Sequence, residues 1–348
     1  VVTIVDVAKH AGVAPSTVSY VLTGKRPVSA GTRVRVRESI QLLGYQPHAG
    51  ARALASSRTN VLALVLPLRE GVHLPVVMRF VTSVVMAARV HDMDVLLVTA
   101  DQGAAGLRRV AGGARVDGFL VMDVALDDER LPVLRELGRP AVLLGHPSAV
   151  KGLTCVDLDF EAAGARCVDH LAELGHRSIG FLGAPSVVYA RRTGFAQRTL
   201  AGFSAAAMRR GIASTALPAE QRYDSVHAVV TTLLRELPRM SALVVHNEAV
   251  LGWVVDCLRA EGRRVPDDVA VVAICPDELA EQLRLTSVQL PADVLGRRAV
   301  ELLMAKLNGQ QPPPLTLLPP KLFSRTGPVV PMLAGQRPRF GEPPRRVS

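Results

Sequence analysis

The chain has 348 residues, 49% of them apolar and 21% charged, with a formal net charge of +10. That length predicts two or three domains, and that balance predicts a folded globular chain, which excludes a disordered or fibrous protein. The longest apolar runs, such as Val61 to Leu68, fall well short of the roughly 18 residues a membrane span needs, so no membrane partner is expected.

The charge is unevenly placed. Residues 1–59 hold eight Lys/Arg against two Asp/Glu, residues 321–348 six against one, and those between 27 against 28. A neutral body with a basic head and a basic tail points to a module that binds a polyanion. No basic stretch precedes an apolar run at the start, which reads as no secretory leader and predicts a cytoplasmic protein. The cysteines Cys155, Cys167, Cys257 and Cys275 show no C-x-x-C pair and no metal-ligand spacing, so they read as reduced thiols. No metal or cofactor is implied.

Thr3 is placed to cap a first helix, with Asp6 three residues on as the carboxylate of a capping box. Ile4, Val7, Ala8 and Ala11 then form one apolar face, and Gly12 supplies the left-handed turn that ends it. Pro15 suits the first position of a second helix, "PSTVSYVL". That helix is predicted to bury Val18, Val21 and Leu22 and to leave Pro15, Ser16, Ser19 and Tyr20 outside. After a loop with Lys25 and Arg26, Ser29 caps a third helix whose Val36, Ile40 and Leu43 face inward. Two short helices about a glycine turn, braced by a third, form a helix-turn-helix, whose second helix fits the major groove of DNA. A small helical bundle with a solvated basic face is the plainer alternative at this point.

Pro47 ends that bundle, and "GARALASSRT" follows with Arg52, Leu54 and Arg58. Such a segment is too short to stay helical alone in water. Leu54, set among small residues and arginines, suits a wedge between base steps with arginines on the phosphates. Docking of Leu54 onto the body is the alternative.

With these stretches the chain resembles the LacI–GalR family of bacterial transcriptional regulators. The resemblance is carried by "TIVDVAKHAGV", "STVSYVL", "RPVSAGTRVRV" and "LGYQPHAGARAL", and further on by "VDGFLVM", "LAELGHRSIGFL" and "RLTSVQLP". It implies that Pro15, Ser16 and Tyr20 read bases and that Thr17, Ser19, Ser29 and Thr32 contact phosphates. Leu54 would be the minor-groove wedge of a hinge helix that folds on the operator. Thr3, Lys25, Arg33 and Arg52 complete the candidate DNA-binding set. Ala14, Thr23 and His48 stand where the family usually has Ser, Asn and Asn.

From residue 60 short β-branched runs alternate with helical spacing: "NVLALVLP", "MDVLLVTA", "VDGFLVMDV" and "PAVLLGH". After "LTCVDLD" the pattern restarts with "RSIGFLGA", "SALVVHN", "VAVVAIC" and "LTSVQLP". Near-continuous apolar strands of this kind sit in parallel sheets, so two doubly wound lobes are expected. Ligands bind such lobes at the C-terminal ends of the strands. The resemblance implies the same periplasmic-binding-protein-like pair. The expected fold is α/β, an all-α helix-turn-helix head at 1–46, a hinge helix at 47–59 and two lobes at 60–327. Lobe 1 would take about 60–160 and 292–318, and lobe 2 about 161–291 and 319–327. The Pro/Arg/Gly-rich segment 328–348 has little to bury and reads as a disordered basic tail.

Polar residues just past the strands are the effector-binding candidates: Arg69, Asp101, Asp123, His146, Asp159, Tyr189, Arg198, Asn247, Cys275 and Asp277. Sugar-binding members of the family usually have Arg at the position of Thr199 and Asp at that of Cys275. Trp253, the methionines, Cys155, Cys167 and Cys257 read as packing residues. There is no phosphate loop, no G-x-G-x-x-G after a strand, no H-E-x-x-H and no catalytic triad context. The expected function is therefore not enzymatic. It is a homodimeric regulator, most simply a repressor, that binds a near-palindromic double-stranded operator under control of a small-molecule effector, a carbohydrate being one candidate. A solute-binding protein or carrier is the alternative.

Overall fold

A computed structural model describes residues 2–23, 26–45, 58–66, 68–99, 103–113 and 116–325. The expected hinge up to residue 57, the tail, and the candidates Lys25, Arg52, Leu54 and Asp101 lie outside the described residues.

The head is three helices, α1 (Ile4–Ala11), α2 (Pro15–Thr23) and α3 (Ala30–Leu43). Thr3 and Asp6 form the capping box: the Thr3 N–H donates to Asp6 Oδ2 at 2.8 Å and the Asp6 N–H to Thr3 Oγ1 at 3.4 Å. The Thr3 hydroxyl, which donates to Asp6 Oδ2 at 2.7 Å, and then the Thr3 N–H hold the Asp6 carboxyl below its usual pKa. Gly12 closes α1 at φ 66°, a backbone state that a Cβ disfavours. Ser29 Oγ accepts from the Thr32 N–H at 3.3 Å and so caps α3. Val7, Ala8, Ala11, Val18, Val36 and Tyr45 are buried, with Ile4, Val21, Ile40 and Leu43 packed around them. Leu22, expected inside, is 39% exposed. So small a core covers Val18 and Val21 but not the flank of the stripe one position further round.

The body contains two six-stranded sheets. The first has the order β11-β5-β4-β3-β1-β2, from β1 (Val61–Leu66), β2 (Asp94–Thr99), β3 (Gly118–Val121), β4 (Ala141–Leu144), β5 (Cys155–Leu158) and β11 (Leu315–Leu318). All its pairings are parallel, with Leu64 in register with Leu97 on one side and Leu120 on the other. The second sheet repeats the order as β12-β10-β9-β8-β6-β7. Its strands are β6 (Ser178–Gly183), β7 (Ala213–Pro218), β8 (Ala242–Val245), β9 (Ala270–Cys275), β10 (Thr286–Gln289) and β12 (Leu322–Phe323). Only β12 runs antiparallel, against β10.

Helices cover the faces: α4 (Leu74–Val90), α5 (Gly103–Gly112) and α6 (Arg130–Glu136) in lobe 1, and α7 (Phe160–Glu173), α8 (Ser186–Ala190), α9 (Gly194–Arg209), α10 (Tyr223–Glu236), α11 (Leu251–Ala260) and α12 (Asp277–Leu283) in lobe 2. α13 (Ala292–Leu307) returns to lobe 1, where it packs on α4. The chain passes between lobes after β5, after β10 and between β11 and β12.

One helix contact is set by glycines. A Cβ on Gly202 of α9 would lie 1.9 Å from the Glu161 carbonyl oxygen, and one on Gly164 of α7 would lie 2.2 Å from that of Thr199. α7 and α9 therefore meet backbone to backbone beneath the second sheet. Cys155, Cys167 and Cys257 are buried as expected. Trp253, Met78, Met86 and Met208 are not: they are 38%, 43%, 62% and 81% exposed. They read as packing residues by type alone, and α4, α9 and α11 each turn these positions away from the sheet.

Candidate functional site

Pro15 and Ser16 lie on the first turn of α2, and Ser19 and Tyr20 one turn on, so four residues share a face. Pro15 and Ser16 are exposed, and Thr17, Ser19 and Tyr20 are half-buried at their edges. The Arg26 guanidinium lies 5.4 Å from the centroid of the Tyr20 ring, a cation–π contact that restrains the ring. Sequence reasoning named Arg26 only as a loop residue. Thr3 and Ser29 are exposed helix caps, Thr32 is half-buried, and Arg33 is exposed with Nη2 3.5 Å from the Val28 carbonyl oxygen. Among the described residues these candidates are all on the head.

The body site follows from topology. In both sheets the chain reverses its winding between the first and third strands, β1/β3 and β6/β8, and a crevice opens beyond those strand ends. A cavity of about 160 Å³ sits there, between the lobes. Lobe 1 contributes Val76, Val77, Phe80, Met122, Asp123 and Asp157; lobe 2 contributes Val188, Arg191, Phe195, His246, Asn247 and Ile274. Most of the lining is apolar.

The polar groups on these walls are individually held. Arg69 pairs with Asp123, its Nε 3.1 Å from Oδ2. Arg130 fixes the strand end that carries Asp123: its Nη2 donates to the carbonyls of Met122 and Asp123 at 3.1 and 3.0 Å. The same guanidinium forks onto Asp128 at 2.8 and 2.6 Å, with both side chains almost fully buried. Across the cleft, His73 Nδ1 stands 3.3 Å from Glu248 Oε1. Burial opposes the Glu248 charge, but His73 and the residue's own backbone N–H outweigh it and hold the carboxyl below its usual range. Asn247 is buried and donates to the Ala219 carbonyl at 2.8 Å.

Phe160, Phe195 and His246 meet in a triangle, with centroids 5.6–5.8 Å apart. Burial among these rings drives the His246 imidazole down to about 4, so it is neutral. Asp157 is 5% exposed; its Oδ1 accepts from the Leu158 N–H at 2.9 Å, and its Oδ2 has no partner. Burial raises this carboxyl to about 7, although the Arg198 charge pulls the other way. Arg191 donates through Nη1 to the Glu70 carbonyl at 3.2 Å, and its Nε and Nη2 are buried without partners.

Of the ten effector-binding candidates, Asp123 and Asn247 line the cavity, Arg69 joins it through Asp123, and Asp101 lies outside the described residues. The other six are engaged elsewhere. Arg198 donates to the carbonyls of His146 and Pro147 at 2.8 and 3.2 Å, tying lobe 2 to lobe 1, and the His146 ring turns to the Pro147 carbonyl. Asp159 caps α7 by accepting from the Ala162 N–H at 2.9 Å. Tyr189 packs its hydroxyl against Gly183, and Asp277 pairs with Arg325. Cys275 is fully buried, and burial pushes its thiol up to about 12. Thr199 is buried too, bonding the Phe195 carbonyl at 2.8 Å. Neither position at which sugar anchors are usual presents one. Asp157, Arg191 and His246 were missed; the visible signal for Asp157 was a carboxylate inside an apolar strand.

Residues 3–48 match the lacI family of bacterial regulatory proteins, and residues 168–326 match the periplasmic binding protein-like domain. The HTH-type transcriptional regulator CelR of Thermobifida fusca is 32% identical over 90% of this chain and 94% of its own length. The chain belongs to the lacI family. Catabolite control protein A of Priestia megaterium is 28% identical over 88% of this lacI-family chain and 93% of its own. Among solved structures, a CelR–cellobiose complex aligns with a TM-score of 0.65 at 30% identity, covering 93% of this chain and 99% of its own. The lac repressor dimer bound to operator and the anti-inducer ONPF aligns at 0.80, with 24% identity over 94% and 99% of the two chains. This lacI-family protein is a DNA-binding transcriptional regulator, an α/β chain with a helical head and two parallel-sheet lobes.

Proposed function

We propose that this regulator binds a near-palindromic operator as a homodimer and that a small molecule in the inter-lobe cleft alters its affinity for that operator. The observation that carries the reading is the union, in one chain, of an exposed polar face on α2 with a cleft at two facing switch points. The head (1–46) would read half-sites through Pro15, Ser16 and Tyr20, and the hinge (47–59) would place Leu54 in the central minor groove. Repression is the simplest output, in the cytoplasm, by binding and not by catalysis. The cellobiose in the complex of CelR makes a carbohydrate the first candidate effector.

A dimer is supported by an apolar face that the monomer leaves open. Leu74, Met78, Val85, Met86 and Val90 of α4 and Leu96 and Leu97 of edge strand β2 are all at least 38% exposed. Exposed apolar side chains gathered on one helix and the adjoining edge strand fit a self-complementary two-fold contact. An effector that changes lobe closure with a coupling of ~1–3 kcal/mol would change operator affinity roughly 5- to 150-fold.

Selection of random duplex DNA on the purified protein, followed by titration at several salt concentrations, tests the reading. The expected result is one enriched near-palindrome, weakened at defined bases by Tyr20→Ala and overall by Leu54→Ala. Uniform weak binding that vanishes steeply with salt would refute it, because backbone electrostatics alone behave that way.

A further inference from the structure

The groups on the cavity wall that lack partners describe a ligand. Arg191 carries two N–H groups on one edge, Nε and Nη2, that are closed to solvent and unbonded among the described residues. That edge is the fork a carboxylate fits with two parallel bonds. Arg69 already holds Asp123, and neither Asp123 nor Glu70, though both are felt electrostatically by Arg191, bonds to the free edge. On the lobe 1 side Asp157 presents an unpartnered, buried carboxyl oxygen. Phe160, Phe195 and His246 form an aromatic corner of the same cavity, with Ile274 and Leu290 also on the lining.

Size and solvation then choose between ligand classes. A dry cavity of roughly 150 Å³ holds one benzene ring, so about 160 Å³ in this conformation has room for one substituted ring. A single hexose ring fits by volume but would press several hydroxyls against valine, leucine and phenylalanine. Each hydroxyl buried without a partner costs ~1–3 kcal/mol, and the fully buried side-chain atoms on this lining that lack a partner among the described residues are the Arg191 edge, Asp157 Oδ2 and His246 Nδ1.

We infer that the cleft takes a compact hydroxylated aromatic carboxylic acid, with its carboxylate on the Arg191 fork, its ring against Phe160, Phe195 and His246, and its hydroxyl on Asp157. The inference rests on the cleft being the effector site and puts an aromatic acid in place of the carbohydrate as its ligand. With burial raising its pKa to about 7, Asp157 is about half protonated at neutral pH and can either accept from that hydroxyl or donate to it.

Calorimetric titration of the full chain with 4-hydroxybenzoate, benzoate, phenol, glucose and cellobiose tests it, each repeated with operator-bound protein. 4-Hydroxybenzoate should bind at least tenfold more tightly than benzoate or phenol. Arg191→Met should abolish that preference over phenol, and Asp157→Leu the preference over benzoate. Arg191→Lys, which keeps the charge and loses the fork, should retain only part of the affinity and guards against a fold defect in the first variant. Binding of glucose or cellobiose in place of the acid overturns the ligand class and leaves the effector site standing. Binding of the acid with no change in operator affinity supports the site chemistry but removes its regulatory role. No binding by any of the five overturns the inference, whatever the operator selection returns.

Discussion

Arg130→Met is the perturbation whose consequence the structure fixes best. It removes the bidentate bonds to Asp128 and the two donated to the Met122 and Asp123 carbonyls, all within a site where both side chains are under 7% exposed. Asp128 would keep only the backbone N–H groups of Ala125 and of residue 130, at 3.2 and 3.0 Å. An uncompensated buried carboxylate of this kind costs ~3–5 kcal/mol. Burial opposes the Asp128 charge, yet the bonds from Arg130 outweigh it and hold the folded carboxyl low. The pair's contribution is therefore fully present above the unfolded carboxylate pKa near 4 and is lost as pH falls through the lower folded value. Hydrogen exchange of the β3 amides at pH 7 is the assay, with protection expected to fall roughly 10²- to 5 × 10³-fold. The double variant Asp128→Leu/Arg130→Met removes both charges and should recover most of that loss. Equal losses in the single and double variants, or a single-variant loss under ~1 kcal/mol, would refute the account of this pair as a mutually dependent buried bridge.

Three further outcomes are expected. Gly202→Ala must push α9 off the Glu161 carbonyl and should destabilise lobe 2 by ~1–3 kcal/mol in urea unfolding followed by Trp253 fluorescence; an unchanged midpoint would contradict the backbone contact. Met86→Glu places a charge in the open apolar face of α4 and should shift sedimentation from dimer to monomer at micromolar protein, while circular dichroism stays unchanged. His246 is held neutral with a folded pKa of about 4, so the unfolded chain takes up its proton first and stability falls by about 2 kcal/mol from pH 7 to pH 5. His246→Phe keeps a ring among Phe160 and Phe195 and should flatten that slope; identical slopes would exclude the residue as its source.

The head was legible nearly to the residue because its signals are local. The capping box at Thr3, the left-handed Gly12 and the Ser29 cap each act within four residues of chain, so spacing alone reveals them. The apolar strands were legible too, since β1, β3, β6, β8 and β9 are buried on both faces and read as continuous apolar runs. β7 and β11 were not, because as partly exposed flanking strands they carry mixed sequences, "ASTALP" and the "LTLL" between prolines. The cleft was legible only as a place. Strand ends can be counted from sequence, but which polar side chain turns inward depends on competing partners far along the chain. Arg198 finds the carbonyls of His146 and Pro147, and Asp277 finds Arg325, whereas Arg191 is left with an empty edge.

The three passages between lobes all leave from one side of each sheet. β5 and β11 are the last two strands of the first sheet, and β10 and β12 the last two of the second. A rotation of one lobe on the other thus pivots along that border, and displacement grows with each strand away from it. Five inter-strand spacings of about 4.8 Å set β2 ~24 Å from β11, so a 10° rotation carries it through ~4 Å. β2 and the adjoining α4 hold the open apolar face. Such a rotation would make the fold a lever: a change of an ångström or less beside the pivot, where Asp157 and Phe160 stand, would become several ångströms at the surface where a second copy would sit.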